Sequence, residues 1–326
     1  MTPTEPGEPG EKAKRAERAE RAERAERAER AERAERIEPA RTAAPVVRLV
    51  QVSDPHIREA GRLAYRKVDT AAWLEVTIES VLALRQVPDA VVVTGDLVDF
   101  GRPAEYARLR EMLAPLAMPV YLMPGNHDDR ERLREAFPDH PWLAPAVRLA
   151  DGNRPIQYAV RIGPLHLLTL DTVVPGQSHG ELCDARLDWL ETALTERIGE
   201  PVIVAMHHPP FTTLIGHMDK IGLMSGIERL DAILKRHPHV ERVICGHLHR
   251  AIDVRFGGTI ASTCPGPAHQ VTLDLDPEAA STFTMEPPGF RVHAWTPATG
   301  VVTHLAASGR FQGPYPFHEE GGGLID

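Results

Sequence analysis

The chain has 326 residues, 42% hydrophobic and 25% charged, an ordinary balance for a globular protein. Its 37 basic and 46 acidic groups leave a net charge of −9, which argues against a binder of nucleic-acid polymers or of membranes. Three cysteines, Cys183, Cys245 and Cys264, are too few and too odd in number for a disulfide framework, whereas the 16 histidines need an account.

Residues 1–45 hold 11 Lys/Arg, 11 Glu and no histidine. Within them, residues 15–35 are seven consecutive Arg-Ala-Glu triplets, starting at Arg15. All three residue types favour helix, and Glu17 stands four residues before Arg21, the favourable order for an ion pair along a helix. A period of three drifts against the ~3.6 residues of a helical turn, so the alanines line up on no face. The expected organisation is a low-complexity tail at 1–45 (disordered or a solvated helix), a folded body at 46–310 and a flexible end at 311–326. No apolar run reaches the length of a membrane span and the first residues have no apolar signal core. The reading is therefore a cytoplasmic protein with no membrane partner.

The body alternates short apolar runs with amphipathic stretches. Residues 46–52 read as a strand ending in Asp54-Pro55-His56. In an extended segment, residues i and i+2 point the same way, so Asp54 and His56 can reach one metal. A helix follows at 70–85, then a buried strand at 89–94 that runs into Gly95-Asp96-Leu97-Val98-Asp99. Gly95 permits a sharp exit, so Asp96 projects over the sheet end, where its two oxygens can bridge two ions. Asp99 reads as a residue that orders the turn. After a helix at 104–116, a strand at 119–123 ends in Gly125-Asn126-His127-Asp128. Asn126 offers a neutral oxygen ligand; His127 faces differently and stays free to donate a proton or bind an oxyanion. Asp128 either orients His127 or caps the next helix, 128–137, with Glu131 as its box partner.

A hairpin at 158–172 turns at Gly163-Pro164, and a helix occupies 183–195. The strand at 201–206 ends in His207-His208, of which His207 is the ligand candidate and His208 a packed neighbour. A helix at 226–236 leads to a strand at 242–245 that ends in Gly246-His247-Leu248-His249, again two imidazoles on one side. Beyond Arg250 the sequence is strand-rich, with turns at Gly257-Gly258 and 298–300.

Strand–helix alternation with a strand-rich end indicates an α/β protein with two packed sheets, whose site forms outside the carboxyl ends of the strands. The candidate ligands are Asp54, His56, Asp96, Asn126, His207, His247 and His249. Seven such donors with one bridging carboxylate fit two metals better than one. Two ions ~3.5–4 Å apart can hold a hydroxide and clamp a phosphoryl oxygen. Mixed nitrogen and oxygen donors without cysteine suit two divalent or mixed-valence ions, iron and manganese first, then zinc, cobalt or nickel. Their charge outweighs that of Asp54 and Asp96, so the site attracts an anion even on an acidic protein.

In chain order, Asp-x-His at 54–56, Gly-Asp-x-x-Asp at 95–99, Gly-Asn-His-Asp at 125–128, the strand end at His207 and Gly-His-x-His at 246–249 resemble the motifs of the calcineurin-like metallophosphoesterases. The resemblance covers residues 46–310 and implies a four-layer α/β/β/α metallophosphoesterase sandwich. It implies a first metal on Asp54, His56, Asp96 and His249, and a second on Asp96, Asn126, His207 and His247. His127 matches the family's catalytic histidine, with Asn126 and His127 also facing substrate. Residues 101–106, 124–129, 206–210 and 265–270 look like the bacterial class III cyclic-nucleotide phosphodiesterase and glycerophosphodiesterase branch. In that branch the histidine matching His269 helps to hold substrate phosphate; read by itself, His269 is a turn residue after a proline-rich segment.

The expected protein is a dinuclear metal-dependent phosphodiesterase acting on a small-molecule diester, 3′,5′-cyclic nucleotides such as cAMP first. A glycerophosphodiesterase or a broad small-molecule phosphodiesterase is the runner-up. The loop at 211–225, with His217 and Asp219, is expected at the pocket rim. A homo-oligomer is compatible with the resemblance. The alternative of another class is a non-catalytic scaffold with the tail as an arm; it expects missing ligands, and all seven residues are present.

Overall fold

The segment Val202–Met206 is apolar at every position and buried along its length, the mark of a strand covered on both faces. Val202, Val204 and Met206 belong to one apolar core, while Ile203 and Ala205 belong to another. Two cores on either side of one sheet already require more than two layers. The structure, a computed structural model, describes residues 46–144 and 147–326; the tail at 1–45 lies outside the described residues.

In chain order the elements are β1 (Val47–Val52), α1 (Thr70–Leu82), β2 (Ala90–Thr94), α2 (Pro103–Leu113), β3 (Val120–Met123), α3 (Arg130–Ala136), a single 3-10 turn (Pro141–Leu143), β4 (Tyr158–Ile162) and β5 (Leu165–Leu170). They continue with β6 (Gly180–Glu181), α4 (Asp184–Thr195), β7 (Val202–Met206), α5 (Gly216–Asp219), β8 (Leu223–Ser225), α6 (Ile227–Arg236) and β9 (Val240–Cys245). The last are β10 (Ile252–Phe256), β11 (Thr259–Thr263), β12 (Gln270–Val271), β13 (Phe283–Thr284), β14 (Gly289–Thr296) and β15 (Gly300–Ala307).

One sheet has the order β15-β14-β1-β2-β3 and the other β10-β11-β9-β7-β5-β4. In the first, β1, β2 and β3 run parallel; in the second, β5, β7, β9 and β11 do, with β4 and β10 antiparallel at the edges. The first core joins Val91 and Leu122 to Leu167 and Ile244 of the second sheet and to Leu74, Ile78 and Leu109 of α1 and α2. The second core packs Leu187 and Leu190 of α4 and Leu230 and Ile233 of α6 against Leu168, Val204 and Val243. The architecture is a four-layer α/β/β/α sandwich. The buried Gln51 side chain ties the sheets together at one end: its amide donates to the Cys245 carbonyl (2.9 Å) and to Thr94 Oγ1 (3.0 Å), and accepts from His293 (3.1 Å).

Most expected elements are present with shorter ends. The short β6, β8, β12, β13 and α5 have too few residues to show a period and are absent from the sequence reading. The helix expected from 128 begins at Arg130, because Asp129 caps it, accepting from Glu131 N and Arg132 N at 3.0 Å. Residues 311–326 are exposed throughout.

Arg130 also anchors α3 to the end of β5. Its guanidinium meets the buried Asp171 carboxylate at 2.7 and 2.8 Å, and the same carboxylate accepts from Ile156 N and Val173 N. Burial alone would raise this carboxyl, but Arg130 and Arg186 outweigh it and hold it below the usual range. Asp171→Ala is expected to lower stability by about 3–5 kcal/mol in urea titration, because it leaves Arg130 buried without its partner. The sign for pH follows: this contribution is full above the ordinary carboxylate range and is lost as pH falls through the depressed value.

Candidate metal centre

Five strands of the two sheets deliver polar residues to one place. From the first sheet come Asp54 and His56 after β1, Asp96 after β2, and Asn126 and His127 after β3. From the second come His207 after β7, and His247 and His249 after β9. The segments after β1 and β2 stay paired beyond the strands, with Asp54 N on Gly95 O (3.1 Å) and His56 N on Asp96 O (3.0 Å). The chain then turns sharply. Asp54 (φ 57°), His56 (44°), Asp96 (47°), His247 (70°) and His249 (47°) all hold left-handed backbone, five of the eight non-glycine residues that do so among the described residues. Each such residue costs about 1–3 kcal/mol and persists only where its surroundings hold it. Gly125 marks the tightest approach: a Cβ there would run into Asp96 Oδ1 and lie 2.7 Å from His207 Cε1.

The donors fall into overlapping groups whose ligating atoms lie within 4.8 Å of one another: Asp54, His56 and His249; then Asp54, Asp96 and His207; then His207, His208 and His247. His56 Nε2 is 3.1 Å from His249 Nε2 and 3.5 Å from Asp96 Oδ2. His207 Nε2 is 3.4 Å from Asp96 Oδ1 and 3.2 Å from Asn126 Oδ1. Thus Asp96 turns one oxygen to His56 and the other to His207. Asp54 accepts from His247 N with both oxygens and lies 3.6 Å from His249 Nε2.

Whether these residues fit a cation can be read from the second nitrogen of each ring. His207 Nδ1 donates to Thr94 O (2.8 Å) and His249 Nδ1 to His269 O (3.1 Å), which leaves Nε2 of each ring facing inward, as a lone pair on the neutral His249. His247 Nε2 is buried without a hydrogen-bond partner. Burial holds His249 well below the usual imidazole range and His247 at about 3, so both are neutral donors. Burial lifts Asp54 to about 6 and is opposed mainly by His207. For His207, burial lowers the value but Asp96 and Asp54 win and carry it to about 9. Two buried carboxylates therefore hold a proton on His207, in the position where a cation would replace it. Lone pairs facing one another and carboxylates short of positive charge fit a metal centre.

Of the remaining site residues, Asp128 and Asp99 are placed differently from expectation, whereas His208 is packed as expected. Asp128 neither touches the His127 ring nor caps the helix. Its Oδ2 accepts from Leu97 N (3.0 Å) and Gly125 N (2.8 Å), and its Oδ1 from the Tyr106 hydroxyl (3.0 Å), so it staples two strand exits together. The group facing His127 is Asp99, whose carbonyl accepts from His127 Nδ1 (2.8 Å). The Asp99 carboxylate also lies 3.4 Å from His56 Nδ1, 3.6 Å from His127 Nδ1 and 2.7 Å from Arg58. Its role goes beyond the turn, and the only signal for it was the Gly-Asp-x-x-Asp spacing. His127 is partly exposed, with Nε2 at 4.0 Å from Asp96 Oδ2. His208 has both nitrogens engaged, on Thr172 Oγ1 (2.8 Å) and Ser178 O (3.2 Å). His269 is buried against the His249 ring (4.6 Å between centroids) and beneath Tyr65 (5.2 Å), and burial pushes it to about 3. In the loop at 211–225, Asp219 accepts from the Thr213 and Leu214 backbone amides and so shapes the loop.

Three kinds of likeness accompany this geometry. The profile of the calcineurin-like phosphoesterase family matches residues 47–251. A probable glycerophosphodiester phosphodiesterase GpdQ of Arcobacter nitrofigilis is 39% identical over 278 residues, 85% of this chain and 99% of that one. The 3′,5′-cyclic adenosine monophosphate phosphodiesterase CpdA of Escherichia coli is 30% identical over 271 residues, 82% of this chain and 92% of that one. Among solved structures, a dimetal phosphatase of Danio rerio superposes with a TM-score of 0.54 at 17% identity, covering 81% of this chain and 99% of that one, a likeness of fold.

Proposed function

The chain belongs to the calcineurin-like phosphoesterase family, and from that premise we propose that it is a dinuclear metal phosphodiesterase. The observation that carries this is the placing of the two Asp96 oxygens toward separate histidine sets, 3.5 Å from His56 Nε2 and 3.4 Å from His207 Nε2. Asp54, His56, Asp96 and His249 would hold one ion, and Asp96, Asn126, His207 and His247 the other. Bound there, the ions supply Lewis acidity and an activated water near neutral pH. Donors of this mixed kind suit iron or manganese first, and also zinc, cobalt or nickel.

The chain's own residues do the rest. Thr94 and His269 carbonyls fix the tautomers of His207 and His249. Asp99 fixes that of His127, whose Nδ1 proton lies on the Asp99 carbonyl. In its imidazolium form His127 would carry a second proton, on Nε2, toward the site; that proton would neutralise phosphoryl charge or pass to the departing alkoxide oxygen, leaving the neutral ring with its Nδ1 proton on Asp99. With His127 N on Asp96 Oδ1 and Asn126 Oδ1 3.2 Å from His207 Nε2, both residues would lie beside a phosphate held at the metals.

The substrate is a small-molecule phosphodiester. The motifs alone put 3′,5′-cyclic nucleotides first; the higher identity to the glycerophosphodiesterase relative moves weight toward glycerophosphodiesters. His269 lies within ring contact of His249 and His56, near enough to shape the phosphate pocket. Among the described residues, no helix is long and apolar enough to cross a membrane.

The test is a metal-reconstituted panel of cAMP, cGMP, glycerophosphodiesters and a phosphomonoester at equal concentration. Chelation is expected to abolish turnover of the diesters, and manganese or iron to restore it. Dominant phosphomonoester turnover in the reconstituted protein would sink the diesterase reading.

A further inference from the structure

Beside His127 the surface opens into a cavity of about 600 Å³, whose wall includes Arg58, Arg62, Tyr65, Arg66, His127 and one carboxylate, Asp99. That volume suits a small organic ligand. The three arginines differ. Arg58 is already paired: it contacts Asp99 at 2.7 Å and lies over the Phe100 ring at 4.3 Å. Arg62 and Arg66 make no ion pair with any described residue.

The turn that presents them is held in place. Tyr65 (φ 52°) and Arg66 (φ 59°) are consecutive left-handed residues, a conformation that side chains rarely adopt. On either side, Ala64 and Val68 are buried and exchange backbone hydrogen bonds at 2.9 Å. They pack with Ala268, Trp73 and Phe283. The turn therefore holds the backbone of both exposed arginines at the cavity, beside His127.

A second cavity of about 360 Å³ shares Phe100 and His127, but its arginines are answered. Arg130 is on Asp171, Arg154 on Glu131, and Arg132 on the Gly101 carbonyl. Among the described residues lining the two cavities, the arginines without an ion pair are Arg62 and Arg66.

A simple phosphodiester carries one negative charge, which the metal centre takes. Nothing in such a molecule answers Arg62 and Arg66. We propose that the substrate is a phosphodiester whose departing alcohol carries a second, terminal phosphate, bound by Arg62 and Arg66 in the cavity beside His127. Two guanidinium groups match the charge of a phosphomonoester and its oxygens bidentately. This inference rests on the diesterase reading above, and it adds the substrate class.

The test uses a matched pair, glycerophosphoinositol and glycerophosphoinositol 4-phosphate, with the metal-loaded full chain. The kcat/KM of each is measured, and each is also titrated as a competitor of bis(4-nitrophenyl) phosphate hydrolysis. The phosphorylated member is expected to be preferred on the order of tenfold at low salt, and less as salt screens the exposed pairs. In the double variant Arg62→Gln/Arg66→Gln the ratio is expected to fall toward one, and in Arg62→Lys/Arg66→Lys to remain in part. The ratio is taken within one enzyme, so a general loss of activity cancels. Equal values in the wild-type chain, or a preference kept in the glutamine variant, would overturn the second-phosphate inference while leaving the diesterase reading intact. Failure of the wild-type chain to hydrolyse any diester would overturn both.

Discussion

Asp96→Ala is expected to cut diester turnover by more than roughly 10³-fold and to strip metal from the protein in the same step. Loss of a residue that only orients a ligand costs about 10- to 100-fold, so the larger figure separates a direct ligand from a supporting one. The reason lies in the geometry. One oxygen of Asp96 faces His56 and the other faces His207, so a single side chain serves both ends of the ligand set. Oδ1 also accepts from His127 N at 2.9 Å, which holds the turn that carries Asn126 and His127. Metal content by elemental analysis and turnover on bis(4-nitrophenyl) phosphate are measured on the same sample. Two ions retained at full rate would show that the ligand assignment is wrong.

His127→Ala should behave oppositely with respect to metal. Turnover is expected to fall by about 10²–10⁴-fold, the range for removing a positioned acid, while metal content stays at the wild-type level. His127 Nε2 stands 4.0 Å from Asp96 Oδ2, and its other nitrogen is occupied by the Asp99 carbonyl. A second readout identifies the proton. The loss should be greater for an alkyl diester than for a nitrophenyl diester, because a nitrophenolate leaves without protonation. An equal loss on both would assign His127 to charge neutralisation rather than proton delivery.

The strand ends were legible because each combines a buried apolar run with an abrupt polar exit. In residues 90–96, AVVVTGD, three valines and a following Gly-Asp place the strand and its functional residue at once. Convergence of five such exits followed from parallel strands sharing one direction. Asp128 was misread for a different reason. An acidic residue three before a glutamate matches a helix-start pattern, and nothing local says that Leu97 N, 31 residues away, claims its carboxylate instead. Asp99 was undervalued likewise, since its contacts with His56 and His127 bring together segments after β1 and β3. Arg62 and Arg66 carried no signal at all in a polar stretch; only the turn at Tyr65 and the cavity beside it give them a direction.

The ligand set is divided between the sheets, and Gln51 joins those sheets beneath it. The division has a consequence for the order of biosynthesis. The half with both carboxylates leaves the ribosome first, within residues 54–127, and offers a single ligand imidazole, His56. The other three ligand histidines arrive only with residues 207–249. A nascent chain that has delivered only β1, β2 and β3 therefore presents mostly oxygen donors, a poor match for a transition metal. Metal capture waits until β7 and β9 bring His207, His247 and His249 to the first three strands, so that a chain truncated before residue 207 is expected to stay empty.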